Sequence, residues 1–260
     1  MRIGLLETDV LYDDLIHEYG SYGLMFEKYF TQLGESELEF VYYQVQQGEL
    51  PLFFDECDAY VITGSKAGAY EEHDWIAPLS NWIVAADKAQ AKILAVCFGH
   101  QIVAQALGGK VEQSHKGWGV GVRSLLTVAD SPFSQPLPKY LDLIYSHKDQ
   151  VIALPTSAHI FLSDDFCPYA GFTIGQHIVT LQGHPEFNVE YSERLLNRRA
   201  KDIGEPSFSR AIKSLRQSTD ENFIGRLILE FLSSENPQTL DETSDSTLEQ
   251  DNKQQTEQSV

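Results

Sequence analysis

The sequence predicts an α/β fold, an open, mostly parallel sheet with helices on both faces and antiparallel additions. Three observations carry this. Short apolar runs alternate with helix-period stretches from residue 1 to about residue 185. The early runs are separated by helical segments, whereas those after Val120 follow one another across turns. One run, Lys92-Ile93-Leu94-Ala95-Val96, passes into helical spacing with no loop between.

Taken in order, strands are expected at Ile3 to Glu7, Glu39 to Gln44, Ala59 to Thr63 and Ile93 to Cys97, because each is a short, strongly apolar run. Amphipathic helices are expected around Tyr22 to Leu33 and from about Trp75 to Ala89. The later runs are Val120 to Val128, Asp142 to Tyr145, Ile160 to Ser163, Gly171 to Ile174 and Ile178 to Leu181. Their close spacing reads as antiparallel strands added to the sheet. After Glu186 the pattern turns helical, at Val189 to Arg199, Ser207 to Leu215 and Asn222 to Leu232. From Ser234 the composition changes: residues 234–260 contain seven acidic residues and one lysine, with only Leu240, Leu248 and Val260 as large aliphatics. The expected organisation is a folded unit over residues 1–233 and an acidic disordered tail over 234–260, which buries too little to offset the entropy of ordering.

The loop-free junction is the most informative stretch. After Cys97 the apolar residues Ile102, Val103, Ala106 and Leu107 recur at helical spacing, so Cys97 stands at the corner between a strand and a helix. Such a corner brings two backbones close together and requires small residues on either side. Ala95 and Gly99 meet that demand, which is the geometry of a nucleophile elbow with cysteine as the nucleophile. The helix N-terminus favours a thiolate there. An unbridged cysteine is also a common core filler, and spacing alone leaves both readings open.

A nucleophilic thiol needs a base, a group to orient it and donors for the oxyanion. The chain has eight histidines, so one more carries little information. In Gln182-Gly183-His184-Pro185-Glu186 a strand ends in glycine, and His184 and Glu186 follow two positions apart. In extended backbone they point the same way, so Glu186 can fix the His184 tautomer through Nδ1. A polar turn leaving a strand is the competing reading.

Together, Ala95-Val96-Cys97-Phe98-Gly99-His100-Gln101 and Gly183-His184-Pro185-Glu186 resemble the paired motifs of the class I glutamine amidotransferases, over roughly residues 1 to 200. Ala95 stands where the family commonly has glycine, and alanine is still small enough for the elbow. The resemblance implies a flavodoxin-like sheet and a triad of Cys97 as nucleophile, His184 as base and Glu186 as its orienter. It also implies an oxyanion hole from the N–H groups of Gly64 and Phe98. Read from residues alone, the run from Thr63-Gly64-Ser65 to Gly68 is a turn or a weak phosphate cradle, since it lacks the Gly-Lys-Ser/Thr ending of a P-loop. Gln101, Ser146 and His147 fall where the family contacts the glutamyl group, as does Lys116-Gly117-Trp118-Gly119. His147 is a rival base, with Asp149 the nearest carboxylate in sequence.

The implied chemistry is amide hydrolysis through a cysteine thioester, with glutamine or a related γ-glutamyl compound as substrate and a separate synthase subunit as one destination for ammonia. A γ-glutamyl peptidase is the alternative, because the run from Thr63 to Trp75 and the Lys-Gly-Trp-Gly turn are similar to members that cleave γ-glutamyl peptides. A non-catalytic binding module of the same fold is a third. No cofactor is expected. No metal site is expected either: no His-x-x-x-His or clustered Cys/His set occurs, and the charged run Glu71-Glu72-His73-Asp74 reads as a solvated face.

The net charge of −19 argues against nucleic acid and anionic membrane as partners. No apolar run reaches membrane-spanning length, and the first strand meets an acidic residue too early for a signal peptide. Three cysteines, Cys57, Cys97 and Cys167, show no paired spacing. A reducing, cytoplasmic setting is the expectation.

Overall fold

The computed structural model describes residues 1–34 and 37–234. The first half alternates strand and helix: β1 (Arg2–Glu7), α1 (Asp13–Tyr19), α2 (Tyr22–Leu33), β2 (Glu39–Gln44), β3 (Ala59–Ile62), α3 (Ile76–Lys88), β4 (Ile93–Val96) and α4 (Phe98–Ala106). Strands then dominate: β5 (Lys110–Gln113), β6 (Gly119–Thr127), β7 (Tyr140–His147), β8 (Asp149–Ala153), β9 (Ala158–Ser163), β10 (Gly171–Ile174) and β11 (Ile178–Leu181). Three helices follow, α5 (Val189–Ile203), α6 (Ser207–Ser214) and α7 (Glu221–Ser233). Apart from Ser234, the expected acidic tail lies outside the described residues.

The main sheet runs β2-β1-β3-β4-β11-β10-β9-β6-β7, and β5 pairs with β8 in a separate ribbon. The pairs from β2 to β11 are parallel. Those from β11 to β7 are antiparallel. Alternation along the strands sends side chains to two cores. Ile3, Leu5, Val61 and Leu94 pack against Phe26 and Phe30 of α2 and Ile228 of α7. Leu6, Ile62 and Ala95 pack on the opposite face with Leu79 and Ile83 of α3 and Ile102 of α4. With both faces covered, β3, β4 and β11 are buried at every position, as their unbroken apolar runs require.

One expectation is corrected. Ile178 to Leu181 was expected as another antiparallel addition, but β11 is antiparallel only to β10 and runs parallel beside β4. The hairpin turn before it fixes the first relation, and insertion at the centre of the sheet gives the second. The consequence is positional, because the C-terminal end of β11 lies beside that of β4. The antiparallel half also rolls over on itself, since Ile144 of β7 forms an antiparallel bridge with His184 just beyond β11.

Three elements carry too little pattern to be read in advance. Helix α1 buries only Leu15 and Tyr19 and has no side-chain N-cap. Strand β5 buries only Val111, so it and its partner β8 lack a period. Among the described residues no helix is long and apolar enough to cross a membrane, and Cys57, Cys97 and Cys167 are all free.

Candidate active site

Open α/β sheets place their sites beyond the carboxyl ends of parallel strands. Here β1, β3, β4 and β11 deliver Thr8, Gly64, Cys97 and His184 to one such edge. Cys97 sits between β4 and α4 with φ 54° and ψ −101°, a left-handed conformation costly for a residue with a side chain. Two contacts hold it. Its N–H donates to Leu181 O of β11 at 2.8 Å, and the Gly99 N–H donates to Thr63 O at 3.2 Å. A Cβ added at Gly99 would lie 2.4 Å from Ile62 O, so the small residue after the corner is required by the strand beneath it.

His184 is anchored at both its backbone and its side chain. Its N–H donates to Ile144 O at 2.8 Å, and its Nδ1 is 2.8 Å from Glu186 Oε1, with both side chains closed to solvent. Phe187 stacks on the imidazole, with centroids 3.8 Å apart and planes 8° from parallel. Burial disfavours the imidazolium, but the Glu186 carboxylate and Cys97 beside the ring outweigh it and raise the His184 pKa to about 10.

Gly64 lies between the side chains of Cys97 and His184. A Cβ there would stand 3.1 Å from His184 Cε1 and 3.6 Å from Cys97 Cβ. Thr8, buried beneath, fixes this turn: its hydroxyl lies 3.0 Å from the carbonyl oxygen of Gly64 and 3.1 Å from that of Thr63. The Phe98 N–H occupies the first position of α4, where no earlier turn of the helix can accept it. Cys97, Gly64 and His184 line one small cavity, which adjoins a groove of about 300 Å³ that also reaches Cys97.

The remaining sequence-predicted residues occupy different parts of this groove. Gln101 does not face solvent. It is 3% exposed, and its Nε2 donates to Asp149 O at 2.8 Å and to Gln182 Oε1 at 3.1 Å. His147 is buried, and its Nδ1 pairs with the backbone carbonyl of Asp149 at 3.0 Å rather than with the carboxylate. Burial, partly offset by that carbonyl and reinforced by the charge of His184, lowers its pKa to about 4. Of the two rival bases, only His184 has a carboxylate on its ring nitrogen. Ser146 Oγ accepts from Arg199 Nη1 at 2.8 Å. His73 stands apart on the surface, paired with Glu71 at 2.9 Å. Among the described residues no cluster of three or more His, Cys, Asp or Glu could hold a metal.

Sequence reasoning did not single out Thr8, Phe187 or Arg199. Thr8 had a usable signal, as the residue just beyond a predicted parallel strand. Arg199 had none, because a helical arginine ordinarily faces water.

Comparison with known proteins agrees with this architecture. The chain is 34% identical over 185 residues to gamma-glutamyl peptidase 5 of Arabidopsis thaliana, covering 68% of this chain and 74% of that one. Gamma-glutamyl peptidase 3 of the same plant is 33% identical over 186 residues, with 68% and 75% covered. A glutamine-hydrolyzing GMP synthase of Thermotoga maritima is 28% identical over 179 residues, which are 68% of this chain but 33% of that one. A crystal structure of a glutamine amidotransferase from Thermotoga maritima superposes with a TM-score of 0.73 at 22% identity, covering 90% of this chain and 99% of that one. The family profile of class-I glutamine amidotransferases matches residues 15–201. The chain therefore belongs to the class-I glutamine amidotransferase family.

Proposed function

We propose that this protein is a cysteine-dependent γ-glutamyl hydrolase that cleaves the γ-amide bond of γ-glutamyl peptides. The observation that carries the reading is the strained elbow cysteine sharing one cavity with the carboxylate-paired His184 and with Gly64. Cys97 Sγ attacks the γ-carbonyl carbon, and the electron pair of the C=O moves to oxygen, which the N–H groups of Gly64 and Phe98 stabilise. His184, as imidazolium, donates its proton to the departing amine as the C–N bond breaks, leaving a γ-glutamyl thioester. Water then attacks with His184 as base, and glutamate leaves while Cys97 is regenerated. Glu186 keeps the tautomer that presents Nε2 and stabilises the imidazolium. Gln101 and His147 line the side of the groove that receives the glutamyl group, and Ser146 lines both that groove and the small cavity beside His184.

Peptides are favoured over glutamine as substrate by the roomy groove beside Cys97 and by the similarity to gamma-glutamyl peptidases. The match to GMP synthase supports a second reading, release of ammonia from glutamine to a separate synthase subunit. Residues 1–233 would be the catalytic unit, and free thiols suit a reducing compartment such as the cytoplasm.

The test compares glutamate release from γ-glutamyl dipeptides and from glutamine, with Cys97→Ala as the control. Dipeptides are expected to be cleaved faster, and the variant is expected to fold and be inert. Wild-type activity in Cys97→Ala would reject the mechanism, and faster glutamine hydrolysis would favour the second reading.

A further inference from the structure

The chain carries 38 acidic and 19 basic side chains, and among the described residues many of the basic ones form no ion pair; what sets Arg199 apart is that it lines the cavity holding Cys97 and His184. On α5, Arg194 and Arg198 form ion pairs with Glu18 and Asp14. Of the other groove cations, Lys66 is 3.0 Å from the Asp9 carboxylate, and Lys148, which forms no ion pair among the described residues, lines the groove without reaching the small cavity. Arg199, one position beyond Arg198, turns into the groove instead, and no carboxylate among the described residues pairs with it. Two neighbours orient it. Nη1 donates to Ser146 Oγ at 2.8 Å, and the guanidinium lies over the Trp118 ring, 5.3 Å from its centroid. Stacking and two hydrogen bonds from Nη1, to Ser146 Oγ and at 3.4 Å to the Ser146 carbonyl oxygen, hold the plane without neutralising the charge, which leaves donors for an anion from outside.

Its position says which part of a substrate it meets. Arg199 lines both the groove and the small cavity that contains His184. Gln101 and His147 line the groove only. His184 protonates the departing amine under the function proposed above, on which this inference rests, so the leaving group lies on the side that Arg199 shares.

We infer that Arg199, oriented by Ser146 and Trp118, is a specificity residue that binds a carboxylate on the leaving group. The preferred leaving amines are accordingly amino acids or short peptides with a free carboxylate.

The test measures kcat/KM on γ-glutamyl-glycine and on γ-glutamyl-methylamide, whose leaving group has no carboxylate, for the wild type, Arg199→Gln and Arg199→Lys. Wild-type enzyme is expected to prefer γ-glutamyl-glycine. Loss of a charge-assisted hydrogen bond should lower that preference by about tenfold or more in Arg199→Gln, with part of it retained in Arg199→Lys. A wild type without preference overturns the inference whatever the variants do. So does an equal loss on both substrates, which would place Arg199 on the glutamyl group. If the wild type cleaves neither compound, the proposed function itself fails, and Cys97 will also remain unacylated by either.

Discussion

The imidazole Nδ1 of His184 and the carboxylate Oε1 of Glu186 stand 2.8 Å apart, both side chains sealed from water. Burial alone would push the imidazole toward its neutral form, so the raised pKa of about 10 depends on this carboxylate and on Cys97.

Glu186→Gln keeps the shape and removes the charge. The imidazolium loses its main support, burial dominates, and the ring gives up its proton at lower pH. The alkaline limb of the pH–rate profile should move toward acid, and kcat/KM should fall by roughly 10²- to 10⁴-fold. An unchanged limb in a folded variant would remove Glu186 from the mechanism.

Two glycines around the elbow should fail in different ways. A Cβ at Gly99 meets the Ile62 backbone at 2.4 Å, which cannot yield without moving β3. Gly99→Ala should lose about 2–3 kcal/mol in urea unfolding. A Cβ at Gly64 meets only His184 and Cys97, at 3.1 and 3.6 Å. Gly64→Ala should stay folded yet lose most of its activity, and equal stability losses in the two variants would contradict this account.

Thr8 acts through Gly64. Thr8→Val removes the nearer of two hydroxyl donors to the buried Gly64 carbonyl, at 3.0 Å, and leaves only Thr63 Oγ1 at 3.4 Å, at a cost of about 1 kcal/mol. If the Gly64 N–H serves the oxyanion, steady-state kinetics should show kcat reduced by roughly tenfold with KM little changed, and recovery in Thr8→Ser. A change confined to KM would argue for a binding role instead.

Acid should destabilise the fold well above the carboxylate range. Burial lowers the pKa of His100 to about 3 and of His147 to about 4, from an ordinary 6.5. The unfolded chain therefore binds more protons than the native one between these values. The stability is present above pH 6.5 and drains away as pH falls, by up to about 1.4 kcal/mol per unit for each histidine. His184, shifted the other way, gains its stabilisation as pH falls from about 10 to its ordinary value, so it offsets part of the loss down to about pH 6.5 and none of it below. Urea midpoints should drop between pH 7 and pH 5, and a flat profile there would contradict the burial of both rings in neutral form.

Much of the site was legible along the chain. The change of hydrophobic period at Cys97, the small residues Ala95 and Gly99, and the two-residue spacing of His184 and Glu186 are local properties, set by the backbone within a few bonds. Strand boundaries followed for the same reason, since a run buried on both faces must be apolar throughout. What only the tertiary structure decided is which distant segments become neighbours. The placement of β11 parallel to β4 brings His184 beside Cys97, and the Ile144 bridge anchors its backbone. Thr8 reaches Gly64 across the sheet, and Arg199 turns inward while Arg198 pairs outward. These relations come from long-range pairing and burial, and periodicity shows which face a residue occupies but not what that face will meet.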